Sequence, residues 1–306
     1  MFNKEEFDVE KFVAGAEKWD ELYLKATIHA VERYNDPRDA RATIQQFLSR
    51  KNRGAFKLTN PHSKQIWLRE LILAYRSIRG RDERRDWVYY DPKYDITCSL
   101  VTFTHESWAC PDTHIEFNLK RAKQKVRNAL SGLSFVATFE AACYVNEEWK
   151  KDGSRGKLVS FHCHAVVWAT NRAQLSRRRT TIKPRFRPIL GNKSGVRFDA
   201  LKKADDVCKA IRYQAKMPAL GYRTVPVGWG KKTQRSAKLS YLSRYRLFSA
   251  LQQYDLLDFW LAGGEGTKIL REARTKLNEH RERKRGRGSE YRTWMGSPSG
   301  ARFLAF

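Results

Sequence analysis

The chain has 306 residues, with 60 Lys and Arg against 33 Asp and Glu, a formal net charge of +27 at pH 7. An excess of this size points to a polyanionic partner, nucleic acid first and an anionic membrane surface second. No apolar run approaches the roughly 18 residues that span a bilayer, and Met1-Phe2-Asn3-Lys4-Glu5-Glu6 is no signal peptide, so the expectation is a cytoplasmic protein without a membrane partner.

Residues 1–92 read as a helical, basic accessory region. Apolar-rich runs such as Ala26–Val31 and Ile66–Tyr75 carry it, Pro37 and Asn60-Pro61 break it, and Arg79, Arg81, Arg84 and Arg85 end it. That basic end is either a solvated face or a surface that contacts DNA.

Leu100–Thr104 then alternates as a short strand, followed by a loop and by a Lys/Arg-rich helical pattern from Ile115 to about Leu130. The five cysteines are odd in number and form no Cys-x-x-Cys pair, which predicts reduced thiols. Cys98, His105, Cys110 and His114 leave two readings open around this loop, a structural zinc site or an ordinary connection.

Strands are expected at about 134–145 and 158–169, with a turn around Asp152-Gly153-Ser154, and a short one at Gly195–Phe198 leads into a helix at about 200–217. The succession β-α-β-β-β-α predicts an α+β fold, an antiparallel sheet with flanking helices of the ferredoxin-like or split βαβ kind. Residues 221–270 read as a helical extension, with a Leu-, Tyr- and Phe-rich helix at 238–262 that ends at Gly263-Gly264. From residue 271 to 306 the chain reads as a flexible basic tail, densest at Arg281–Arg287.

Chemistry concentrates in Ser160-Phe-His-Cys-His-Ala-Val-Val-Trp168. On a strand, His162 and His164 point to one face about 6.5–7 Å apart, while Cys163 points to the other. Two neutral imidazoles and one carboxylate suit a divalent ion such as Mn²⁺ or Mg²⁺. Glu140 is the candidate carboxylate, because its strand sets it on one face with Val136, Thr138 and Ala142, small neighbours that leave room for an ion and a phosphate. On the helix, Leu201, Ala204, Cys208, Ile211 and Ala215 form an apolar stripe, and Asp206, Lys209, Tyr213 and Lys216 form a separate one. Tyr213 thus lies off the buried seam beside two cations. Between the His strand and this helix lie Arg172, Arg177, Arg178, Arg179, Lys183, Arg185, Arg187, Lys193 and Arg197, interleaved with Phe186 and Phe198. This basic connection is either a solvated loop or a holder of single-stranded DNA beside the active site, as is Lys209.

An apolar-Thr-apolar-Thr strand, then His-x-His on a strand, then Tyr-x-x-Lys on a helix resembles the HUH endonucleases, and among them the one-tyrosine rolling-circle replication initiators, or Rep proteins, of plasmids and phages. The resemblance covers roughly residues 97–220, within an expected endonuclease domain at 93–220, and implies a related ferredoxin-like or RRM-like sheet. It implies that Tyr213 attacks single-stranded or cruciform origin DNA to leave a covalent 5′-phosphotyrosine and a 3′-OH that primes synthesis. Lys216 would orient phosphate or metal, and His162 and His164 would bind the ion. The Thr-containing strand is mainly structural in that family, so no catalytic role falls to Thr102 or Thr104. Position 209 is Lys where some plasmid initiators carry an acid, with Asp205 and Asp206 nearby, and no second Tyr follows in a Tyr-x-x-x-Tyr arrangement. No Gly-x-x-x-x-Gly-Lys-Ser/Thr loop occurs, so a host helicase and polymerase are expected partners. The alternatives are a one-tyrosine transposase of the same superfamily and a non-catalytic nucleic-acid-binding protein.

Overall fold

A computed structural model describes residues 97–148, 155–169, 172–187, 194–201, 204–214, 220–226, 232–251, 254 and 256–285, with the isolated positions 29, 33, 67, 70, 71 and 74. The six isolated positions are helical. The rest of the expected accessory region, the turn at 152–154, Lys193, Lys216 and residues 286–306 lie outside the described residues.

Two long strands organise the molecule, β3 (Ser134–Glu148) and β4 (Arg155–Ala169), paired as an antiparallel hairpin. Their register sets Thr138 opposite His164 and Glu140 opposite His162, with Phe139 opposite Cys163 between them. Side chains alternate across a sheet, so the polar row faces one side, here the front, and Phe139, Phe161 and Cys163 face the back.

Each long strand has two neighbours on its outer edge. β1 (Thr97–Phe103) pairs with β4 from Cys163 onward, and β2 (Ala109–Pro111) pairs with its Leu158–Ser160 portion. On β3, β8 (Trp260–Gly263) lies along Phe135–Thr138, and β6 (Leu220–Pro226) pairs in parallel with Ala142–Tyr144. β5 (Val196–Leu201) extends the sheet beyond β1, and β7 (Lys232–Ser236) beyond β6. Among the described residues, this leaves Phe161–His162 and Phe139–Ala141 without an outer strand. The sheet therefore has a waist at the Glu140–His162 pair.

Aromatic rings fill the back face. Phe117 stacks on Phe161 at 3.9 Å, Trp108 meets Phe139 edge-on at 5.4 Å, and Phe186 lies 4.9 Å from Phe103. Helix α1 (Leu119–Ala129), whose Asn118 side chain accepts from Arg121 N–H as an N-cap, buries Leu119, Ala122, Val126 and Ala129 there. The segment expected as a basic connection is instead helix α2 (Arg172–Ile182) and a tight 3-10 turn, Lys183–Arg185. Leu175, Ile182 and Phe186 are its buried anchors on this same side.

Helix α3 (Ala204–Gln214) covers the front. Its buried residues are Val207, Ala210, Ile211 and Gln214; of the expected stripe, Ile211 is buried and Leu201 packs partly buried against the core, while the side chains of Ala204, Cys208 and Ala215 are not among those described. Helix α4 (Tyr241–Leu251) is tied to the sheet by Ser243, whose Oγ donates to buried Asp112 at 2.9 Å, and by Lys157, which reaches both Ser240 and Ser243.

Two further expectations change. Residues 221–270 contain β6, β7 and β8 as well as helix, because Trp260-Leu-Ala-Gly263 satisfies the edge of β3 rather than prolonging α4. The expected flexible tail is helical to Arg285 as α5 (Gly266–Arg285), with Ile269, Leu270, Ala273 and Leu277 buried in spite of its charge. A Cβ at Gly266 would fall 1.9 Å from the Phe135 carbonyl oxygen, so only glycine lets the helix start this close to β3. Among the described residues, no helix is long and apolar enough to cross a membrane. Because Leu277 is fully buried, Leu277→Ala is expected to cost about 2–5 kcal/mol by chemical denaturation, whereas a free tail would show no change.

Candidate metal centre

The register at the waist fixes the centre. Glu140 and His162 are directly opposed on neighbouring strands, where Cβ atoms lie about 4.5–5.5 Å apart, and His164 is diagonal to Glu140. One carboxylate oxygen serves both rings: Oε1 of Glu140 is 2.8 Å from Nε2 of His164 and 3.9 Å from Nδ1 of His162. Glu140 and His164 are buried and His162 is half-buried. The imidazoles stand nearly perpendicular, with centroids 6.3 Å apart.

One ligand atom from each of the three residues lies within 4.8 Å of the others, so Glu140, His162 and His164 can together hold a metal ion. Three further observations fit such a group. The donors are two nitrogens and one carboxylate, with no sulfur, because Cys163 points to the back; burial, followed by the Glu140 charge, pushes its thiol well above its ordinary range. The same front row continues to Ser160, whose buried hydroxyl has no hydrogen-bond partner. Among the described residues, no strand pairs with the outer edges of β3 and β4 at this level.

Thr102 on β1, directly opposite His164, places its Oγ1 3.0 Å from Nδ1 of that ring. Both ring nitrogens are therefore engaged. Without a cation, Nε2–H donates to Glu140 and the Thr102 hydroxyl donates to Nδ1. Were this ring to hold a cation through Nε2, the proton would belong on Nδ1 and the hydroxyl would accept instead. The sequence pattern assigns this residue no catalytic part, and 62 residues separate it from its partner.

Tyr213 stands over the centre from α3. Its ring meets the His164 ring edge-on at 4.8 Å, and it is the one large hydrophobic side chain exposed among the described residues. Its neighbour Gln214 turns inward, where Nε2 donates to the backbone carbonyls of Val136, at 2.9 Å, and of His164, at 2.8 Å. One side chain thus fastens the tyrosine helix to both central strands. Buried glutamine is uncommon, since its amide needs partners; here two are main-chain oxygens, and Oε1 is left without one.

The expected basic residues divide between the faces. Arg197 lies opposite Thr102 on the front, its Nε 2.8 Å from Asp199, and Lys209 is exposed one turn before Tyr213. Arg177, Arg178, Arg179, Lys183, Arg185 and Arg187 sit with α2 on the back, away from the centre they had been expected to adjoin; the side chain of Arg172 is not among those described. The alternative zinc reading is not supported. Cys98 pairs opposite Trp168 and Cys110 opposite Val159, nine positions apart on β4 and so about 30 Å. His105 instead engages Ser107 and Lys125, and His114 engages Glu116.

No protein-family model matches the chain, and no curated protein or solved structure matches it. Titration with Mn²⁺ followed by electron paramagnetic resonance or calorimetry is expected to find one site lost in Glu140→Gln and His164→Ala. Thr102→Val should weaken that site by about 10–100-fold, the usual effect of removing a partner that orients a ligating histidine, while Thr102→Ser should restore it.

Proposed function

We propose that this protein is a metal-dependent nuclease and strand transferase that nicks single-stranded origin DNA through Tyr213 and so initiates rolling-circle replication. The observation that carries the reading is an exposed tyrosine packed edge-on against the buried histidine of a two-histidine, one-glutamate centre, in a chain of net charge +27. Catalysis by a phenol needs help because its ordinary pKa is about 10. A bound Mn²⁺ or Mg²⁺ supplies that help by polarising the scissile phosphate and offsetting charge on the transferring group.

The chain's own residues do the rest. Glu140, His162 and His164 are the ligands, and Thr102 orients the His164 ring through Nδ1. Gln214 fixes the helix so that Tyr213 faces the phosphate. Lys209, on the same helix face as Tyr213, and Arg197, on the same sheet face, balance phosphate charge. The Tyr213 hydroxyl attacks phosphorus, the P–O3′ bond breaks, and the phenolic proton ends on the released 3′ oxygen. One phosphodiester replaces another, so the step needs no external energy and is reversible, which strand transfer requires. Lys216, three residues beyond Tyr213, is assigned to phosphate or metal by resemblance to the initiators.

A one-tyrosine transposase would share this chemistry and differ in joining the cleaved end to new DNA. A non-catalytic nucleic-acid-binding protein would share the charge alone. Incubation with labelled single-stranded DNA and Mn²⁺ separates these readings on a denaturing gel. The wild type is expected to form a protein-linked 5′ end that vanishes with EDTA and in Tyr213→Phe, and falls by at least about 100-fold in His162→Ala. Equal DNA binding by all three proteins, with no adduct from any, would leave the binding protein as the better account.

A further inference from the structure

Helices α1 and α2 on the back face differ sharply in charge from α3 on the front. Helix α1 carries five Lys or Arg and no Asp or Glu, and α2 carries four and none. By contrast α3, over the metal centre, sets Asp205 and Asp206 against Lys209 and Arg212. The back-face helices meet where Gln174 donates to the Gly132 carbonyl and Arg178 to the Ser131 carbonyl, in the turn that follows α1. Lys183, Arg185 and Arg187 then continue the basic surface.

Among the described residues, two carboxylates act on the cations of these helices, Glu106, which also acts on Lys125, and Asp258. Glu106 takes Arg187 at 3.4 Å. Asp258 is the one carboxylate that acts on Lys123. Burial and then Arg127 lower that lysine to about 8, while Asp258 opposes them. Cations held this close together favour an added anion.

Among the described residues, the back face offers phosphate contacts and no stacking platform. Phe186 is buried, and Phe198 is half-buried with the Arg179 guanidinium 5.8 Å over its ring. Single strands are held by exposed rings on which bases stack, and among the described residues the one exposed large ring is Tyr213, on the front. A duplex needs no such ring, because its phosphates line the outside.

We propose that the α1–α2 back face docks double-stranded DNA through its phosphates, as a second nucleic-acid site separated from the metal centre by the thickness of the sheet. The identity of this polyanion as DNA rests on the nicking reading above; the surface itself does not. In use, it would hold the duplex that flanks the single strand offered to Tyr213, without reading its sequence.

The test is the variant Arg177→Gln/Arg179→Gln/Lys183→Gln/Arg185→Gln, all four exposed in the wild type. Fluorescence anisotropy would follow a labelled duplex of about 20 base pairs across about 50–200 mM salt. The log–log salt slope is expected to become shallower by about three to four, at roughly 0.9 per phosphate contact, with duplex affinity reduced at least about tenfold. Single-strand adduct formation in Mn²⁺ should stay at the wild-type level, and excess duplex should not compete with the single strand. An unchanged slope and affinity would overturn the proposal. So would a parallel loss of single-strand binding, which would mean one shared surface, or preferential binding to phosphatidylserine vesicles over duplex, which would make the face a membrane surface. If the wild type forms no adduct at all, the nicking reading falls and the duplex titration still decides the back face.

Discussion

The register between β3 and β4 is the constraint on which the rest depends. A slip of one residue exchanges the faces of every side chain on a strand, so displaced strands would turn Phe139, Phe161 and Cys163 to the front and send Glu140 and the histidines into the aromatic core. Burial of a large apolar side chain is worth about 1.5–3 kcal/mol, whereas a buried carboxylate away from its partners is costly. The rings of Phe103, Phe117, Phe139 and Phe161 on the back therefore hold the polar row on the front. The centre is kept in register by apolar groups on the opposite face of the sheet.

That same register makes room. β1 and β2 divide the outer edge of β4 between them, and β8 and β6 divide that of β3, so both boundaries fall beside Glu140 and His162. On one side of the gap α3 closes over His164. On the other, Tyr144 and Tyr222 pack together, with the Tyr144 ring 6.4 Å from that of His162. The centre sits between these two packings, with His162 its more accessible member. Gln214 links the tyrosine helix to the strands through main-chain carbonyls, so the spacing between ring and centre is set by backbone geometry rather than by flexible side chains.

Charge is distributed around this frame by the same logic. Chemistry at a phosphate benefits from a few placed cations, and the front supplies Lys209 and Arg197 beside acidic neighbours. The larger excess is carried by α1 and α2 on the opposite side, where it does not crowd the ligands. On the proposed reading, two uses of positive charge, placing one phosphate and holding many, are thereby kept apart.

Much of this was legible in the sequence for definite reasons. Strand period alone sets His162 and His164 on one face and Cys163 on the other, helical period alone takes Tyr213 off the buried seam, and the net charge of +27 needs no fold at all. Local patterns failed where they were ambiguous. The charge-rich α2 has no clean apolar stripe and reads as a connection, the short run at Trp260–Gly263 reads equally as helix or strand, and the basic residues of α5 obscured Ile269, Ala273 and Leu277. What only the tertiary structure decided are the meetings of distant residues: Glu140 with His164, 24 positions on, Thr102 with His164, 62 positions on, Gln214 with the His164 carbonyl, 50 positions back, and the side of the sheet on which α2 lies. Period fixes the direction of a side chain relative to its own strand or helix. The partner it meets depends on register and on which face each helix buries, and both are settled by burial summed over the whole sheet.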